Sequence, residues 1–239
     1  MSLSSLTSLA KVAMDSIVVE SPAAILYYWT CNTGDISGGN LISTAGITDT
    51  SGNAPLVNGS ITTSTFKFGN GSASLAVNTS YIDVSNKLDL QNGVASLTMW
   101  FRTTSTGFYV ALALFSDGTV DDYIRLSGTN VQESGAGTSN ILRPTEYNTT
   151  NLKDGNWHHL AWVGFGNATT RSVYIDGNLW SNYTYTTFAR NATSTRSRLG
   201  NAHWDTASHL LGNIDDVQIY SGRLTQAQVT AIYTNGGVI

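Results

Sequence analysis

The sequence predicts an all-β chain, and three observations carry that prediction. Short bursts of aromatic and β-branched residues alternate with clusters of Gly, Asn, Ser and Thr, the pattern of many short strands joined by turns. Gly is plentiful at 23 residues and Pro occurs only 3 times in 239 residues, so strands are rarely barred while turns are freely made. Ser, Thr and Asn together supply about a third of the chain, far above ordinary usage, and only 12% of residues are charged. A chain of this length can bury a substantial core in one large β domain.

The same composition excludes several functions. Net charge is −4 with no basic stripe, so nothing displaces counterions from phosphates and no nucleic-acid partner is expected. Cys31 is the only cysteine, which rules out an intrachain disulfide and a cysteine-based zinc site. The first residues lack the basic cluster and apolar core of a secretory signal. Nowhere does an apolar run reach the roughly 18 residues of a membrane span, so no membrane insertion is expected. Leu3, Leu6, Ala10, Ala13 and Ile17 recur at near-helical spacing, which predicts a helical docking arm over residues 1–23 ahead of a domain over 24–239.

Along the domain, AILYYWT (24–30) reads as the first strand. Cys31 to Ser64 reads as one long polar loop, a length that is uncommon unless the segment binds something. STFKFGNGSASLAV reads as a hairpin turning at Gly69-Asn70-Gly71, and SYIDVS as a short alternating strand. In ASLTMWFRT, Leu97, Met99 and Phe101 alternate with Thr98, Trp100 and Arg102, and GFYVALALFS and DDYIRLSG read as its neighbours in an antiparallel meander. Residues 131–156 read as a loop region with one short strand around Ile141-Leu142-Arg143. WHHLAWVGF and RSVYIDG then form a hairpin, SRLGNAHW follows, and GNIDDVQIYSG is the last strand. A short helix closes the chain: Thr225 and Gln228 fit a capping box, Leu224 and Val229 a hydrophobic staple, and Asn235-Gly236-Gly237 a stop.

Two stretches, GNWHHLAWVGFGNATTRSVYIDGNLW and GNIDDVQIYSGRLTQAQVTAIY, are similar to hallmark segments of the laminin-G-like, concanavalin A-like lectin-glucanase jelly-roll family. Order and content both match: Gly-x-Trp-His-His, then Tyr-hydrophobic-Asp-Gly, then Ile-Asp-Asp-Val-x-Ile-Tyr before a Leu-Thr-x-x-x-Val helix. The resemblance spans residues 24–235 and implies a two-sheet antiparallel jelly-roll sandwich. It further implies binding of carbohydrates or proteins, with calcium in many members and glycan cleavage in some. Fold alone does not choose among these.

The individual residues narrow the choice. Adjacent residues of a strand face opposite ways, so His158 and His159 cannot share one metal or substrate, and both are expected to be structural, each imidazole hydrogen-bonded. Asp176-Gly177 reads as a turn whose glycine takes the left-handed position and whose aspartate caps it. Asp215 alternates with Val217 and Ile219, which predicts a buried carboxylate that accepts backbone N–H groups or, as in relatives, sits near calcium with Asp49 from the polar loop. Glu20, Glu133 and Glu146 are the only glutamates and none lies in a paired-carboxylate motif, so no catalysis is expected. Trp180, Tyr183, Tyr185 and Trp204 lie in turn-rich regions where rings could meet sugars. Seven Asn-x-Ser/Thr sequons, against about five expected from so much Asn, Ser and Thr, are slight support for glycosylation. The expectation is a non-catalytic recognition or structural module on a virion or other extracellular surface, with protein partners in a larger assembly and glycans as further candidates. The alternatives are a secreted calcium-dependent lectin and a divergent glycoside hydrolase.

Overall fold

A computed structural model describes residues 23–41, 54–88, 94–107, 109–116, 121–127, 130–135, 138–140, 151–166, 170–184, 195–203 and 207–236. Its strands, numbered in chain order, form two antiparallel sheets, as the resemblance implies. One runs β15 (Asn178–Thr184), β14 (Thr170–Ile175), β13 (Trp157–Gly166), β8 (Val94–Thr103), β17 (Gly212–Ser221), β6 (Ser72–Leu75), β5 (Ser60–Thr62), with β1 (Ala24–Trp29) also paired to β17. The other runs β12 (Thr138–Asn140), β11 (Asn130–Gly135), β10 (Asp121–Ser127), β9 (Tyr109–Ser116), β16 (Arg198–Leu199), β7 (Tyr81–Asp83), β4 (Ala54–Val57), β3 (Asn40–Leu41), β2 (Ile36–Ser37). The expected docking arm and Ile141 to Arg143 lie outside the described residues.

Strand alternation builds the core. Leu97, Met99 and Phe101 of β8 and Leu160 and Trp162 of β13 enter the space between the sheets, where they meet Val110, Leu112 and Phe115 of β9. The rings of Trp162 and Phe165 stack at 4.4 Å, and those of Phe115 and Phe165 at 4.7 Å. The opposite face of the eight-stranded sheet carries a smaller core, Ala161, Val163, Tyr174 and Tyr220, covered by Leu224, Val229 and Ile232. The last two belong to helix α1 (Gln226–Asn235), which starts with the anticipated capping box at Thr225 and Gln228.

Four segments depart from the sequence reading. The expected meander of β8, β9 and β10 is split between the sheets: β8 pairs with β13 and β17, while β9 and β10 pair in the other sheet, because Leu97, Met99 and Phe101 face Val110, Leu112 and Phe115 across the core instead of lying alongside them. The polar segment from Cys31 to Ser64 contains β2 to β5, because Leu41, Ala54 and Leu56 find places in the core. Residues 64–68 form no strand, since the amides of Lys67 and Phe68 donate to Asp215 instead of to a ladder. Residues 130–140 do form strands, β11 and β12. There an inward position, normally apolar, is occupied by Glu133, which hid the alternation.

Candidate functional site

The paired histidines of β13 face opposite ways, as alternation requires. His158 Nδ1 lies 2.9 Å from Asp176 Oδ2 and its Nε2 lies 3.3 Å from Asp154 Oδ1. Burial lowers the pKa of His158, but the two carboxylates outweigh it and hold the value above the ordinary histidine range. His159 is fully buried, with its ring 5.2 Å from that of Trp100 and 5.8 Å from that of Tyr233. Contrary to expectation, neither of its ring nitrogens has a hydrogen-bond partner among the described residues. Burial, and then the Lys67 ammonium, push its pKa down to about 4 against the pull of Asp176, so the imidazole is neutral. The pair is wall.

Asp176 and Gly177 both take positive φ, 50° and 77°, as a tight turn between β14 and β15 requires. Asp176 does more than cap that turn. Its Oδ1 accepts the His159 amide at 2.8 Å while its Oδ2 holds His158, so it clamps one hairpin to the next strand.

Asp215 is fully buried, on the opposite face from the one alternation predicts. An extra residue at Asp216, at φ 48°, breaks the register, so Asp215 sits opposite Trp100 while Val217 and Ile219 return to the main core. Its Oδ2 accepts the amides of Lys67 at 2.8 Å and Phe68 at 3.0 Å, and its Oδ1 that of Asp216 at 2.8 Å. Burial nonetheless pushes its pKa up to about 7. Among the described residues, the groups that bond to this carboxylate are amide hydrogens. Asp49, its expected partner, lies outside the described residues, which contain no group of three His, Cys, Asp or Glu able to hold a metal.

Of the four aromatic residues named from the sequence, Tyr185 and Trp204 lie outside the described residues. Trp180 packs against the main core, and Tyr183, 39% exposed, lies on the same edge strand.

A better-built surface lies on the outer face of the nine-stranded sheet. Register places Asp83 of β7, Arg198 of β16, Leu114 of β9 and Tyr123 of β10 side by side. The next row sets Ala111 beside Arg125 and Gln132 of β11. Inward positions between them, Ile82, Leu199 and Ile124, belong to the core, so these side chains share the outer face. The Arg198 guanidinium lies 4.1 Å from the ring centre of Tyr81, and that of Arg125 4.9 Å from that of Tyr123. Arg198 also donates to Asn201 Oδ1 at 3.2 Å, and Arg125 Nε donates to Gln132 Oε1 at 2.8 Å. Leu114 and Ala111, both buried, lie beneath two braced Arg–Tyr pairs. Sequence reasoning missed this face because Tyr81 and Arg198 meet only through strand pairing, with no local motif to announce them.

A two-sheet jelly roll with a polar-aromatic sheet face belongs to the lectin-like class of β-sandwiches. The chain is a member of the concanavalin A-like lectin/glucanases superfamily, whose laminin-G model matches residues 76–230. No curated protein sequence matches the chain. Among solved structures it is similar to domain 4 of AbnA, a GH43 extracellular arabinanase from Geobacillus stearothermophilus, in complex with arabinotriose. That match has 20% identity and a TM-score of 0.60, covering 90% of this chain and 100% of that one. It is also similar to the botulinum neurotoxin serotype D binding domain, at 12% identity and TM-score 0.64, and to the binding domain of Paraclostridial Mosquitocidal Protein 1, at 11% and 0.63. It covers 52% and 51% of those two domains, about half the length of each.

Proposed function

We propose that this chain is a non-catalytic recognition module that binds carbohydrate on the outer face of its nine-stranded sheet. The observation that carries this reading is the cross-strand row in which Tyr81, Arg198, Tyr123, Arg125 and Gln132 flank Leu114 and Ala111. Such a surface offers guanidinium N–H donors and the Asp83 carboxylate to sugar hydroxyls, with the partly exposed rings of Tyr81 and Tyr123 for C–H faces. The fold-level likeness to a domain solved with arabinotriose supports the ligand class.

Catalysis fits poorly with the carboxylates in view. Glycoside hydrolysis needs two of them facing one another across a substrate cleft. Glu133 and Asp122 are instead fully buried between the sheets, where Arg171 lies 3.2 Å from Glu133 Oε1 and 2.8 Å from Asp122 Oδ1. The finer expectation, a module on a virion or other extracellular surface with partners in a larger assembly, belongs to the same proposal. Removing residues 1–22 is expected to leave a folded domain that no longer joins its assembly, and continued assembly would refute the docking arm.

For an oligosaccharide selected on a glycan array, Arg198→Ala and Tyr123→Ala are each expected to weaken binding at least about tenfold, a loss of about 1.4 kcal/mol. Unchanged affinity in both folded variants would move the sugar off this face. Because Asp215 is already satisfied by amides, the same titration in calcium and in chelator should agree, and chelator sensitivity would bring calcium back into the site.

A further inference from the structure

A second feature lies on the other sheet, independent of the face just described. A cleft of about 170 Å3 opens where β8 ends and β17 begins, lined by Arg102, Thr103, Thr104, Gly155, Leu211, Gly212 and Asn213. Its shape depends on bare backbone. A Cβ built on Gly212 would lie 1.9 Å from the Arg102 carbonyl oxygen, and one on Gly155, at φ +83°, 3.0 Å from the Thr104 methyl.

The polar groups of the cleft are placed and only partly used. Arg102 Nε donates to the Gly155 carbonyl, which fixes the guanidinium, while its two terminal nitrogens have no partner among the described residues. Thr103 Oγ1 donates to the Leu211 carbonyl at 2.7 Å and accepts the Ser105 amide at 3.0 Å, which holds the two strand ends together. Asn213 donates its amide to Ser72 Oγ at 3.1 Å, leaving its own oxygen toward other donors. Thr104 is exposed, and Leu211 shows 37% of its surface, the only large apolar side chain of the lining. Among the described residues, no Asp or Glu lines the cleft.

We infer that this cleft is a binding site for a carboxylate-bearing sugar, a uronic or sialic acid residue, whose carboxylate pairs with the terminal nitrogens of Arg102. A planar guanidinium pinned through Nε presents two parallel N–H groups, the geometry that a carboxylate takes bidentately and a lone ammonium does not. Asn213 Oδ1 and Thr104 accept hydroxyl hydrogens of the ring, and Leu211 packs against its C–H face. An acidic group is the class selected, because the lining holds one cation with no anion beside it.

The test titrates glucuronic acid and N-acetylneuraminic acid, each against its methyl ester, into the full chain, read by amide chemical shifts. Saturable shifts at Gly155, Gly212 and Asn213 are expected for at least one acid, with its ester at least tenfold weaker. Arg102→Gln is expected to abolish binding, and Arg102→Lys to weaken it because the fork is lost. Thr104→Trp, at an exposed position, fills the cleft without touching Arg102 and should also abolish binding, which keeps the test valid if Arg102 variants fold poorly. Arg198→Ala should leave the acid titration unchanged, so failure at one sheet is separable from failure at the other. Esters that bind as well as acids, shifts that survive Thr104→Trp, or no saturable shift for either acid would overturn the assignment.

Discussion

At the scale of the residue, the molecule places ionisable groups where their surroundings decide their charge. Arg171 is almost fully buried between Asp122 and Glu133, and Trp162 Nε1 donates to the same Glu133 oxygen at 2.8 Å. Burial raises the Glu133 pKa, and Arg171 opposes it. Removing one partner of a buried network leaves uncompensated charge, so Arg171→Met is expected to cost about 3–5 kcal/mol in denaturant unfolding. Replacing all three by apolar residues should cost less than the single change, and the reverse order would show that the network is not paired as described.

His159 gives a pH signature. Its folded pKa, about 4, lies below the unfolded value of 6.5, so its contribution to stability is present above 6.5 and is lost as pH falls towards 4. The full effect is about 3 kcal/mol. Subtracting the profile of His159→Phe from that of the parent isolates this group from the opposing one of Asp215, whose raised pKa loses stability as pH rises from 3.8 through about 7. The difference should grow below pH 6.5, and a flat difference would mean that the imidazole reaches solvent or an acceptor. None of this could be read from the sequence, which showed two histidines facing opposite ways but not that one meets two carboxylates and the other two aromatic rings.

At the scale of the element, alternation and turn chemistry were legible wherever one face was purely apolar. The β13–β14 hairpin, the pairing of β9 with β10 and the capped helix follow directly from their residues, whereas the sheet to which β8 belongs does not, since alternation marks a strand without naming its partners. The Thr225 cap makes a checkable claim: its hydroxyl accepts the Gln228 amide at 3.2 Å, and Thr225→Ala should cost about 1 kcal/mol in melting experiments. Legibility failed where a polar group occupied an inward position or an extra residue shifted the register. Glu133 disguised β11, and the left-handed Asp216 turned Asp215 to the face of Trp100. Both departures are long-range facts, since Arg171 compensates the first and the Lys67 and Phe68 amides the second.

For the whole molecule, the sandwich could be foreseen through its two hallmark stretches, whereas the face proposed here for recognition could not. Tyr81, Ala111, Tyr123, Gln132 and Arg198 come from five strands, and only the order β11-β10-β9-β16-β7 makes them neighbours. The aromatic residues singled out from the sequence were judged by local turn content, which does not report what strand pairing assembles. Carbohydrate recognition by this face is checked by a glycan array run on the parent and on the Tyr123→Ala, Arg198→Ala double variant. Selective binding of one oligosaccharide class by the parent, and its loss in the folded double variant, is the expected result. Silence from a folded parent, or equal binding by both proteins, would contradict it.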